Sequence, residues 1–269
     1  MHCRGDPLTR KNFVFNLIFS IAGGLLVLFV VLPLVSTLLS TTPAALLASF
    51  GDPQVLSSIE LTFGAAAIAT AIALTTGVPL AYLLARRRFR GKRLLEAIIN
   101  LPVVIPHTAA GIALLLVFGR QGLLGQWLSP LGITFTDNTA GIVVAMLFVS
   151  LPFLVDTARE AFALVDPGYE RVARTLGATP GVAFARVALP LARRGVLAGA
   201  LLMWARGMSE FGAIVILAYN PKTMSVLTYE RFESGGLDAA KPAALLVVLL
   251  ALVVFIAVRS MAGRREERP

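Results

Sequence analysis

The chain is 269 residues long, with 57% of its residues hydrophobic, only 14% charged and a mean hydropathy of +0.81. A water-soluble domain of this length keeps about a quarter of its residues charged, so the composition excludes one and leaves much of the outer surface to lipid. The formal net charge of +9 would suit nucleic acid, but cytoplasmic loops of membrane proteins carry the same excess; the positions of the charges decide. Cys3 is the one cysteine, and His2 and His107 are the two histidines. An internal disulfide and a Cys/His zinc cluster are therefore both ruled out.

Six stretches are apolar over roughly the 20 residues a helix needs to cross the hydrocarbon core. The first, residues 13–39, follows Arg10 and Lys11 as a secretion signal would. It is too long for a signal core and lacks a convincing cleavage site, so it reads as a retained span. The second, 59–85, contains the small run from Gly64 to Ala67. The third, 94–118, contains Pro102 and Pro106, and the fourth, 140–163, contains Pro152. Packed neighbours tolerate such kinks inside a membrane. The fifth, 195–218, opens on Gly195 and Gly199, a spacing that allows close helix contact. The sixth, 242–258, is short and draws on its flanks. The fold expected is all-α and polytopic. An N-terminal segment, first helix and external loop occupy 1–55, a membrane core 56–260, and a basic tail 261–269.

The connections alternate in charge. Arg4, Arg10 and Lys11 precede the first span; Arg86, Arg87, Arg88, Arg90, Lys92 and Arg93 follow the second. Arg159, Arg171, Arg174, Arg186, Arg193 and Arg194 fall in the fourth-to-fifth region, and Arg259, Arg264, Arg265 and Arg268 end the chain. The intervening connections hold only Arg120, Lys222, Arg231 and Lys241. The positive-inside rule puts both termini in the cytoplasm of a multi-pass cell-membrane protein. It also accounts for the basic charge without nucleic acid.

The longest cytoplasmic stretch has clear punctuation. Asp166 is a good N-cap and Pro167 suits the first turn. A helix over 168–176 places Tyr169, Val172, Ala173 and Leu176 on one face, and Glu170, Arg171 and Arg174 on the other. Gly177 stops it as a C′ glycine. Thr179-Pro180 repeats the start, and a second short helix runs to Leu189-Pro190. Two readings fit these residues: an amphipathic loop at the inner membrane surface, or an element that docks a partner.

The run Tyr169-Glu170-Arg171-Val172-Ala173-Arg174-Thr175-Leu176-Gly177-Ala178-Thr179-Pro180, closed by Val187-Ala188-Leu189-Pro190, resembles the EAA loop of ABC importer permeases. That pattern has Glu-Ala-Ala, three residues, Gly, nine residues, a branched aliphatic, one residue, then Leu-Pro. Ala173, Gly177, Val187, Leu189 and Pro190 are in register, whereas Arg171 and Val172 replace the Glu and first Ala. The resemblance implies a type I ABC importer permease fold, with the coupling loop at about 166–190. In that family the first short helix sits in a cleft of a separate ATPase. The residues it implies at that contact are Tyr169, Glu170, Ala173, Arg174, Leu176, Gly177, Ala178 and Pro190. It further implies two ATPase copies, a second permease copy and an external binding protein. The chain has no G-x-x-x-x-G-K-[ST] run, so ATP and magnesium belong to the ATPase, and no cofactor is expected on this chain.

Two more stretches resemble permeases for tetrahedral oxyanions. They are Leu101-Pro102-Val103-Val104-Ile105-Pro106-His107-Thr108 and Ser209-Glu210-Phe211-Gly212-Ala213. With Tyr229-Glu230-Arg231-Phe232-Glu233-Ser234, the latter is most similar to the tungstate/molybdate branch known mainly from archaea; sulfate or another solute is the alternative. Arg206, inside the fifth span, carries a cost of roughly 2.5–3.5 kcal/mol on insertion scales. It either lines the path of a divalent anion or pairs with Glu210 at i+4. His107 is likewise either a path residue, with Ser209 and Glu210, or an interhelical hydrogen-bonding group. A membrane-embedded enzyme would need Asp156, His107, Arg206, Ser209 and Glu210 to converge, and no recognised spacing joins them. An ATP-independent channel has no use for the coupling loop.

Overall fold

The computed structural model describes residues 7–263, so the expectations placed on His2, Cys3 and Arg4 and on Arg264, Arg265 and Arg268 of the 261–269 tail lie outside it. The side chains of Arg10, Lys11 and Arg259 are likewise outside the described residues. Among the described residues there is no strand. The elements are α1 (Pro7–Leu39), α2 (Pro43–Phe50), α3 (Pro53–Arg86), α4 (Lys92–Val104), α5 (His107–Phe118) and α6 (Gly125–Leu128). After a 3-10 turn (Ser129–Leu131) come α7 (Thr139–Leu164), α8 (Pro167–Thr175) and α9 (Pro180–Ala183). A π-helical turn (Phe184–Ala188) leads into α10 (Leu189–Met208), followed by α11 (Gly212–Leu217) and α12 (Met224–Gly263).

Helices α3, α7 and α10 form the centre. Small residues let them approach: a Cβ on Gly195 would meet the Ala161 Cβ at 2.3 Å, and one on Gly199 would meet the Thr157 Cβ at 3.1 Å. Ala65, Ala66 and Ala69 of α3 cluster with Ile142 to Val149 of α7, while Ala73 to Leu84 cluster with Leu154 to Phe162. The two helices therefore run parallel, with α10 antiparallel to both. On α1, by contrast, the large apolar side chains are exposed, Phe29 at 75% and Leu39 at 79%, the surface of a helix bathed in lipid or covered by another chain.

Among the described residues, five helices are long and apolar enough to cross a membrane. The third expected span is not a kinked helix but two, α4 and α5, bent by 114°. Pro106 explains the break. A proline disfavours helical backbone in the residue before it, and Ile105 is extended at φ −72° and ψ 146°. Each half rises roughly 20 Å, too little to cross alone. Because α3 and α7 are parallel, the chain between them must return across the membrane, so the bent pair makes the sixth crossing.

Two other boundaries move. The fifth span starts at Pro180 and ends at Met208, not at 195–218; residues 212–217 form the separate α11. The sixth begins only after Gly236, whose φ of 70° and ψ of −165° break α12. Its two arms fold back on each other, with Met224, Leu227, Ala243 and Leu246 gathered around Val55 of α3. Arg231 on the first arm pairs with Asp52 at 2.5 Å. Outside the membrane, Asp52 caps α3 by accepting from the Gln54 N–H. That bond does most to hold its carboxyl below the usual carboxylate range; burial opposes it, and the Arg231 guanidinium adds to the lowering.

Candidate functional site: a coupling corner and a buried charge cluster

The first site is built on α8. Asp166 accepts from the Gly168 N–H at 2.7 Å, Pro167 opens the helix, and Gly177 lies at φ 94°. The Ala178 N–H donates to the Ala173 carbonyl at 3.0 Å and the Gly177 N–H to that of Arg174 at 3.1 Å. This is a Schellman closure, which needs the left-handed backbone that glycine adopts without strain. Thr179 then caps α9 through the Val182 N–H at 3.3 Å. The expected punctuation is all present, with one correction. The second helix does not stop at Leu189-Pro190 but runs on into α10. The π turn just ahead of Pro190 widens the backbone where a proline ring and its missing N–H would break a regular helix.

The faces of α8 are arranged against intuition. Tyr169, Val172 and Leu176 are 61%, 59% and 84% exposed, so the apolar ridge points outward. Glu170, expected on the face opposite the apolar one and at the ATPase contact, is the single buried residue of the helix, 8% exposed. Its carboxylate accepts from the Arg86 Nε at 2.7 Å and from the Tyr82 hydroxyl. Both donors lie near the end of α3, four residues apart and on one face. Sequence reasoning passed over Tyr82 and treated Arg86 as one of a basic run; only their i, i+4 spacing beside that run hinted at a shared partner. Of the other residues expected at the contact, Arg174, Gly177 and Pro190 are exposed, while Ala173 and Ala178 are half-buried.

The second site joins the two stretches that bear the oxyanion resemblance. Helices α5 and α11 pack so closely that a Cβ on Gly212 would meet the His107 Cβ at 2.7 Å, and one on Gly111 the Ile216 Cβ at 2.8 Å. The Glu210 side chain, 1% exposed, sits between them. Its Oε2 lies 2.7 Å from His107 Nδ1 and 3.1 Å from Arg206 Nη2, and its Oε1 accepts from the Ala213 N–H at 2.9 Å. Arg206 Nη2 is 3.0 Å from both ring nitrogens of His107, which sets the guanidinium over the ring face. Ser209 donates back to the Arg206 carbonyl at 2.9 Å, and its hydroxyl lies 3.3 Å from Arg206 Nη1. Arg206 and Glu210 are thus an ion pair, and His107 an interhelical hydrogen-bonding group. Asp156 is not part of this cluster; its salt bridge is a long one of 3.9 Å to Arg159 on its own helix.

Residues 77–267 match the family of binding-protein-dependent transport system inner membrane components. A molybdate/tungstate transport system permease protein of Thermococcus kodakarensis is 40% identical over 96% of this chain and 99% of its own. Its counterpart in Pyrococcus furiosus is 42% identical over 91% of this chain and 94% of its own. The fold is that of a bacterial ABC transporter importing alginate, with a TM-score of 0.76 at 16% identity over 96% of this chain and 98% of that one. The chain therefore belongs to the binding-protein-dependent transport system inner membrane components, the permease subunits of ABC importers, whose ATPase is a separate subunit.

Proposed function

We propose that this permease imports tetrahedral oxyanions, tungstate and molybdate, delivered by an external binding protein, and that it works as two copies above two ATPase subunits. The cargo rests on the two relatives of about 40% identity that align along nearly the whole chain. The mechanism rests on one observation: α8 presents its apolar ridge outward while its acid is tied to α3. Lipid does not need a helix clamped by its polar side, whereas the cleft of a soluble ATPase covers such a ridge. The arginine-rich side is cytoplasmic by the positive-inside rule, and the second arm of α12, antiparallel to α10, ends on it. On the other side Leu123, Trp127 and Leu131, each at least 70% exposed, offer an apolar surface to the binding protein. ATP and magnesium bind the ATPase, and this chain carries no cofactor.

In this reading the ATPase moves α8 as a rigid body. The clamp passes the motion to α3 and the unbroken Pro180–Met208 helix passes it to the bundle, so that the path opens alternately to each side. Gly177→Val is expected to insert and assemble normally. Its left-handed position strains a β-branched residue by about 1–2 kcal/mol, turning α8 relative to α9. ATP hydrolysis should then continue while uptake falls, and normal uptake by the variant would remove the corner from the mechanism.

Cargo is tested by ATP-driven uptake in proteoliposomes holding the permease and its ATPase, with tungstate, molybdate and sulfate each presented on the binding protein. Tungstate or molybdate uptake that sulfate cannot match is the expected result. Equal sulfate uptake would widen the cargo to oxyanions in general.

A further inference from the structure

We propose that the cavity between the end of α3 and the charged face of α8 is a binding site for a phosphate-type oxyanion. The cavity, about 220 Å³ in volume, is lined by Arg86, Arg87, Arg171 and Arg174, with Glu170 as its single acid. That carboxylate is already shared by Arg86 and Tyr82, which leaves a marked cationic excess. Arg87, Arg171 and Arg174 have no ion-pair partner among the described residues. Arg86 Nη2 is buried with no hydrogen-bond partner, and a bound water or ion is one way such a donor is satisfied. Guanidinium forks match the geometry of a phosphate, and close like charges repel unless an anion lies between them.

The cavity also stays open when α8 is in use. Pro167, Glu170, Arg171 and Arg174 share the face of α8 that lines it, and Tyr169, Val172 and Leu176 form the opposite one. A partner gripping the apolar ridge leaves the arginines uncovered. The apolar sequence of α3 gives out at Arg86, so the site lies at the depth of lipid headgroups. Both a lipid phosphate and a free one could reach it.

The test uses the complete permease–ATPase complex in detergent at constant ionic strength. It is titrated calorimetrically with inorganic phosphate and, separately, with dihexanoyl phosphatidylglycerol. Arg87→Gln/Arg171→Gln changes two exposed residues outside the Glu170 clamp. Saturable binding of phosphate, weakened at least about tenfold in the variant, establishes a site for the free anion. The same pattern for the lipid alone establishes a headgroup site. If neither probe binds, or the variant binds both as the parent does, the proposal is wrong. Should the double variant fail to assemble, each single change is titrated in its place. Because binding is measured without transport, its failure leaves the importer reading intact, and failed uptake leaves the site intact.

Discussion

Glu170→Ala is expected to give a permease that inserts and reaches the membrane but takes up its cargo on the order of a hundredfold more slowly. Glu170 is the single buried residue of α8, so no apolar side chain takes over when it is lost. The Glu170 and Arg86 side chains are only 10% and 11% exposed, and removing the carboxylate leaves Arg86 unpaired at Nε as well as at Nη2. Breaking a buried pair this way costs about 3–5 kcal/mol, equivalent to a hundredfold or more in the population of the clamped state. The bundle survives, because its centre lies in α3, α7 and α10. Tyr82→Phe removes one hydrogen bond to a charged acceptor, about 1.5–3 kcal/mol, and should slow uptake by roughly tenfold or more. ATP hydrolysis and uptake measured side by side decide the matter. An alanine variant that transports at the parental rate would show that motion reaches the spans by another route, such as the continuous Pro180–Met208 helix.

The second large effect is on folding. Glu210→Ala leaves Arg206 and His107 without their shared acceptor and the Ala213 N–H without its partner. The expected loss is about 3–5 kcal/mol, a large part of an ordinary stability of about 5–15 kcal/mol. It should appear as a lowered unfolding temperature of the purified permease. Arg206→Met/Glu210→Gln is expected to recover most of the loss. The amide oxygen still accepts from Ala213, no cation is left unpaired, and replacing a buried ion pair by neutral groups is often close to neutral. This pair of variants also separates the two readings of Arg206. Uptake that returns with the fold makes the cluster a structural joint between α5, α10 and α11. A stable double variant that cannot transport would place Arg206 on the path of the cargo.

The sequence by itself determined whatever depends on a short window of chain. Hydropathy located all six crossings, because each must exchange about 20 residues from water to lipid whatever its neighbours are. The cap at Asp166, the proline after it, the left-handed glycine at 177 and the restart at Thr179-Pro180 follow from local backbone chemistry, and each stands where the spacing predicts it. The i+4 pairing of Arg206 with Glu210 was open to the same reasoning, although the helix between them ends at Met208. Tertiary structure alone decided the rest. Amphipathicity reveals that α8 has an apolar face but not which way it points, and that was settled by Tyr82 and Arg86, more than 80 residues away along the chain. Proline 106 signals a disturbance in the helix. Its growth into a 114° break, with α5 packed against α11, does not follow from the local sequence. Hydropathy measures transfer out of water and does not distinguish lipid from a packed neighbour, so the ends of the fifth and sixth crossings were fixed by Glu210, Gly212 and Gly236 rather than by the apolar count.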